Sequence, residues 1–124
     1  MCQELALESP DGVIPDIASA FGGGIGNSGN VCGSVIGAVM AIGLARGRGE
    51  SVEDYLGTAA MVQDLTSRFE ELTGSLRCRD LTGMEMRTPE QIEQFMTSDV
   101  PATVCIPAVT QAYRLAMDAL GRPT

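Results

Sequence analysis

The sequence predicts an all-α fold: a single-domain helical bundle of five or six helices, with a Gly-rich loop before a buried central helix. Three observations predict it. Apolar residues return at i, i+3, i+4 and i+7 along most of the chain, the repeat of a helix with one buried face. No stretch alternates apolar and polar residues as a half-buried strand would. Gly and Pro fall between the periodic stretches, where they act as breakers. At 124 residues the chain fits one domain, and residues 1–124 read as one unit without repeat or linker. Hydrophobic residues make up 44% of it, enough for a core at this size without staples. There are only two Tyr, three Phe and no Trp. Gly, Ala, Val, Leu and Met must therefore do most of the packing, which favours close helix contacts.

The elements follow in order. Cys2 to Glu8 reads as the end of a helix, broken by Pro10, Asp11 and Gly12. Ile14, Ile17, Ala18 and Phe21 share one face of a short helix whose first turn accepts Pro15. Gly22 to Asn30 is the glycine-rich loop, and Asn30 is placed to cap a helix from Val31 to about Ala45. On that helix Gly33, Gly37 and Ala41 lie four apart and form a small-residue groove. Ser51 with Asp54 resembles a capping box. A long amphipathic helix follows, with the stripe Val52, Tyr55, Leu56, Ala59, Val62, Leu65, Phe69 and Leu72, ended by Gly74. Ser75 to Gly83 forms a turn or short helix. Thr88-Pro89-Glu90-Gln91 combines a cap, Pro at the first position and Gln three after the cap, a helix start. Asp99 and Pro101 interrupt the pattern. A last helix runs from near Pro107 to Leu120, stopped by Gly121 and Pro123.

Charge narrows the function classes. The formal net charge is −8, and every basic residue is Arg. Such a surface repels phosphate backbones and anionic lipid, so no nucleic acid and no membrane is expected as a partner. Val31 to Ala45, the longest apolar stretch, has about fifteen residues where a bilayer core needs roughly twenty. The N-terminus carries Glu4 and Glu8 without a basic run, unlike a secretory signal. A cytoplasmic location is the expectation. Thiols there stay reduced unless they have a task.

The chain has no His and no Lys. No His can activate a Ser or ligate a metal, so sulfur is the first place to look for chemistry. Cys2, Cys32, Cys78 and Cys105 stand 30, 46 and 27 positions apart. No C-x-x-C occurs, hence no thioredoxin-like motif and no zinc knuckle. Scattered cysteines often pack as inert small hydrophobes. Three of these four have a context that favours anionic sulfur. Cys32 is expected in the first turn of its helix. Cys78 lies between Arg77 and Arg79. Cys105 sits near the start of the last helix, just before Pro107.

Other candidates are weaker. Gly24-Ile25-Gly26-Asn27-Ser28-Gly29 reads G-x-G-x-x-G, but a dinucleotide fingerprint needs a strand before it. A connector, or a loop bringing backbone N–H groups to Cys32, is the better reading. Glu53-Asp54 and Glu70-Glu71 fall off the apolar stripe and read as a solvated face. Met84 and Met86 read as packing residues. Ser34 and Thr103 lack a His partner for nucleophilic catalysis.

Phe21-Gly22-Gly23-Gly24-Ile25-Gly26, Val31-Cys32-Gly33-Ser34-Val35-Ile36-Gly37-Ala38 and Leu76-Arg77-Cys78-Arg79-Asp80-Leu81-Thr82-Gly83 together resemble the C_GCAxxG_C_C family of redox-active proteins. Cys2 matches its first cysteine and Cys105 its last, so the resemblance spans nearly the whole chain. The order here is Cys-Gly-Ser where the family label spells Gly-Cys-Ala, with Ser34 standing where Ala is expected. Cys2, one residue after Met1, is the least firmly anchored of the four, because terminal residues fray.

The resemblance implies redox activity through cysteine, with electron-transfer company. Two versions stand. All four cysteines ligate an iron–sulfur cluster, most simply [2Fe–2S], with Arg77 and Arg79 offsetting its charge. Alternatively no cofactor is needed, and thiol pairs cycle to disulfides with Cys32 or Cys78 attacking, Cys32 being the more reactive. A redox partner protein is expected, and a homodimer is kept open. Competing readings are a structural zinc site with the same four ligands and a non-enzymatic helical interaction module with cysteines as core.

Overall fold

The structure is a computed structural model that describes residues 12–122. Cys2 and the helix end expected over Cys2 to Glu8 lie outside the described residues. Six α-helices follow one another: α1 (Val13–Ala18), α2 (Gly33–Arg46), α3 (Val52–Thr73), α4 (Cys78–Thr82), α5 (Pro89–Thr97) and α6 (Ile106–Ala119). A π-helical turn, Pro101–Cys105, runs straight into α6. The all-α class is as the periodicity predicts. The described residues contain no strand, only one isolated antiparallel bridge between Val31 and Arg77. None of the described helices is long and apolar enough to cross a membrane.

Helices α2, α3 and α6 pack on one another and carry the core. Val35, Ala38 and Ile42 of α2 meet Leu65 and Phe69 of α3 and Ala108, Ala112, Leu115 and Ala116 of α6. Val35, Ile42, Leu65 and Phe69 are the largest fully buried side chains. Each contributes about 1.5–3 kcal/mol from lost apolar exposure. The four Ala at the contacts let the helix backbones come close, which suits a chain poor in aromatics.

Two amphipathic faces are buried less than their periodicity predicts. On α3, Leu65 and Phe69 are buried, but Val52, Tyr55, Leu56 and Leu72 are exposed. Helix α3 has 22 residues while α2 and α6 have 14 each. At 1.5 Å per residue it is roughly 12 Å longer than its partners, so α2 and α6 do not cover its whole length. On α1, none of the six residues is buried and Ile17 is 57% exposed.

The helix ends follow their sequence signals with two shifts. Thr88 and Gln91 form the full capping box of α5. Ser51 caps α3 by accepting from the Asp54 N–H at 3.1 Å. Asp54 closes the other half on Glu50 N–H at 3.0 Å rather than on Ser51. That bond first, and the Ser51 hydroxyl second, hold the Asp54 carboxyl below its ordinary value. The second shift is at α2, which starts two residues later than expected. Asn30 does not cap it. Its side chain accepts from Val31 N–H at 3.0 Å, and Cys32 takes the N-cap position without a side-chain cap bond.

Candidate functional site: a three-cysteine cavity

Three backbone segments bring three cysteines to one cavity. The first is the glycine-rich loop. Gly23, Gly24, Ile25, Gly26 and Asn27 all have positive φ, from +59° to +72°. This is a left-handed turn, disfavoured for L-residues, and three of its five residues are Gly. The turn consumes its own amides. Gly26 N–H donates to Ala20 O (2.7 Å), Asn27 N–H to Gly22 O (3.0 Å), Gly29 N–H to Gly23 O (3.0 Å) and Asn30 N–H to Gly24 O (2.9 Å). The loop therefore does not offer these N–H groups to the Cys32 sulfur, contrary to the sharper sequence reading. Among the described residues α1, not a strand, precedes it, so the context of a dinucleotide fingerprint is not found there.

The second segment is the bridge that pairs the end of this loop with the start of α4. Cys32 N–H donates to Leu76 O and Cys78 N–H to Asn30 O, both at 2.7 Å. Arg79 N–H adds a bond to Gly29 O at 3.2 Å. In this antiparallel register Cys32 lies opposite Leu76 and Cys78 opposite Asn30, so the two cysteines are diagonal neighbours on one face of the bridge. The third segment is the π turn. Pro107 has no N–H to return to Thr103, so an α-helical bond is missing there. The chain widens, and Ile106 N–H reaches Pro101 O five residues back. Cys105 closes this turn. Single π turns are frequent at functional sites.

The cavity has a volume of about 330 Å³, and Cys32, Cys78 and Cys105 all line it. Cys78 is buried, and Cys32 and Cys105 are half-buried. All three are free thiols. The Cys32 Sγ lies 2.9 Å from the Ser34 Oγ, close enough for a hydrogen bond. The opposite wall comes from Leu81, Met86 and the α5 face Ile92, Phe95 and Met96.

The electrostatics differ from the sequence expectation. Burial, joined by the charges of Cys32 and Cys105, pushes the Cys78 thiol up from 9.0. Burial, then the charge of Cys32, raises Cys105 in the same direction. Arg77 and Arg79 do not reverse this. Neither lines the cavity. Arg77 is exposed, and Arg79 is turned to Glu85 (3.2 Å) and to Ser28 O (3.2 Å). The first amides of α4 are already bonded to loop carbonyls, so its N-terminus does not favour thiolate at Cys78. Cys105 likewise has no free helix start beside it, because the π turn precedes α6.

A pH dependence follows. The folded Cys78 thiol ionises above its unfolded value. Its contribution to stability is thus complete below about pH 9 and is lost as pH rises through the folded value. Denaturant midpoints should hold from neutral pH to about pH 9 and then fall. In Cys78→Ala the fall should be shallower. An equal slope in that variant would show that Cys78 is not the group responsible.

Among the described residues no group of three or more Cys, Asp or Glu side chains is arranged to hold a metal ion. Cys32, Cys78 and Cys105 are three of the four thiols that the iron–sulfur and zinc readings need, and Cys2, the fourth, lies outside the described residues. Sequence reasoning finds the cysteines and misses one neighbour. Ser34 reads there as a small residue in place of Ala and as a nucleophile without a His, and its place two residues after Cys32 is the signal that pairs it with the sulfur. Met86, expected as a packing residue, is buried and also lines the cavity. The i, i+3, i+4 spacing of Ile92, Phe95 and Met96 marked a wall without saying what it faces.

Fold and site define a small helical protein with a cysteine-lined cavity at the junction of a left-handed glycine turn, α4 and a π turn. The chain belongs to the family described as "Putative redox-active protein (C_GCAxxG_C_C)", which matches residues 1–119. No curated protein and no solved structure matches it.

Proposed function

We propose that the cavity is a dithiol–disulfide redox centre in which Cys32 and Cys78 form the exchanging pair. The observation that carries this reading is the bridge that turns both residues to one face as diagonal neighbours while both line one cavity. Cys32 is the attacking thiol. It is the more accessible of the two, and the Ser34 hydroxyl stands beside its sulfur. Cys78, raised by burial, stays protonated until a mixed disulfide on Cys32 needs resolving. Cys105 is the third thiol of the cavity. Electrons leave or enter through a partner that reaches the half-buried Cys32.

The test is a redox titration in buffers of reduced and oxidised dithiothreitol, read by peptide mapping. The expected result is one two-electron transition that yields the Cys32–Cys78 disulfide. Cys78→Ser should abolish the transition and leave Cys32 reduced, because its mixed disulfide with dithiothreitol resolves by ring closure of the reagent. Absence of any disulfide, or pairing mainly through Cys105, would overturn the assignment. Anaerobically purified protein separates this from the iron–sulfur reading. Stoichiometric iron and sulfide with absorption between roughly 300 and 600 nm would replace the thiol cycle by a cluster, with Cys2 as the fourth ligand.

A further inference from the structure

We propose that the substrate of this thiol pair is a small, neutral, apolar disulfide bound against α5; the inference rests on the dithiol reading above. The cavity that holds the cysteines has the chemistry of a binding pocket as well as a reaction site. Its volume, about 330 Å³, lies in the range of small-molecule sites, about 300–1,000 Å³. No charged side chain lines it. Leu81, Met86, Ile92, Phe95, Met96 and Val104 line it with apolar side chains. Two of these are thioethers, flexible and polarizable, able to follow ligands of different shape and to sit against an aromatic ring.

Part of the wall reaches outside. Ile92 is 38% exposed and Met96 65% exposed, so an apolar lip stands at the edge of the cavity. Charge around it points the same way. An anionic disulfide would meet no cation inside, because Arg79 and Arg87 are outside the lining, tied to Glu85 and to the Ser28 carbonyl. The net charge of −8 repels it further. Oxidised peptides that carry carboxylates are therefore disfavoured twice, by the lining and by the field.

The step balances without another reagent. The Cys32 thiolate attacks one sulfur of R–S–S–R, the S–S bond breaks, and one thiolate leaves. Cys78 then attacks the Cys32 sulfur of the mixed disulfide, and the second thiolate leaves. Two electrons pass from the cysteine pair to the substrate. The two thiol protons end on the two released thiols.

The experiment compares the rates at which the reduced full chain reacts with 4,4′-dithiodipyridine, neutral at pH 7.5, and with the dianionic 5,5′-dithiobis(2-nitrobenzoate). Each rate is divided by that of free cysteine with the same reagent, which removes intrinsic reactivity. The neutral reagent should be favoured by roughly tenfold or more, because a carboxylate entering a lining without a cation loses water and gains no partner. Met96→Lys places a cation on the exposed lip, where 65% exposure lets the fold tolerate it, and should reduce that preference by attracting the dianion and removing apolar surface. Equal normalised rates, or a preference that Met96→Lys leaves untouched, would overturn the substrate class while the dithiothreitol titration still stands. A chain that forms no disulfide in dithiothreitol buffers would instead remove the dithiol reading, and the substrate class with it.

Discussion

Gly24→Ala should destabilise the protein strongly and disturb the cysteine cavity. An added Cβ would lie 2.5 Å from Asn30 O and 2.7 Å from the Cys78 Cβ. Neither neighbour is the free end of a flexible side chain. Asn30 O already holds the Cys78 N–H, so moving it breaks the bond that places Cys78. The backbone at Gly24 also has φ +72°, which costs an L-residue about 1–2 kcal/mol. Overpacking adds about 1–3 kcal/mol. The expected loss is therefore about 2–5 kcal/mol against a total stability of about 5–15 kcal/mol. Gly26→Ala is the matched comparison. Its φ is +59°, but nothing lies within 4 Å of the added atom, so only the left-handed term of about 1–2 kcal/mol applies. Urea unfolding of both variants checks this. If Gly24→Ala costs no more than Gly26→Ala, the close approach of loop and Cys78 is wrong. The Cys32–Cys78 disulfide should form less readily in Gly24→Ala than in Gly26→Ala at equal folded fraction.

Phe69→Ala should be the most damaging core substitution. Phe69 is fully buried where α3 meets α2 and α6. Truncation of such a ring costs about 3–5 kcal/mol through lost transfer energy and the cavity left behind. The damage should also reach the site. Phe69 O accepts the Thr73 hydroxyl at 2.7 Å, the same hydroxyl reaches Ser75 O at 2.9 Å, and Leu76 O next along holds the Cys32 N–H. Loosening the end of α3 thus loosens Cys32. Leu72→Ala, on the exposed side of the same helix at 58% exposure, should stay within about 0.5 kcal/mol. Thermal and urea melts of the two variants give the comparison. Similar losses for both would contradict the assigned inner face of α3.

How far the site was legible in the sequence depends on the residue. The Thr88 to Gln91 signal carried α5 to its first residue, because a capping box is satisfied by atoms within one turn. Asn30 had the right residue type for a cap, yet its carbonyl was taken by Cys78, 48 positions away, and the cap moved to Cys32. Arg77 and Arg79 promised a thiolate at Cys78. Burial, a property of the assembled helices, acted in the opposite direction and outweighed them. The α3 stripe read correctly as a helix face and incorrectly as a buried one, since a face is buried only as far as its partners extend.

By itself the sequence determined the helical class, the helix boundaries set by Gly, Pro and caps, and a composition without His that leaves cysteine as the candidate for chemistry. These depend on interactions within a turn or on composition. Tertiary structure alone decided that Cys32, Cys78 and Cys105 share a cavity, which thiols burial raises, and that α5 supplies its apolar wall. Those outcomes depend on hydrogen bonds and packing between segments tens of residues apart, and local spacing along a chain carries no information about such distances.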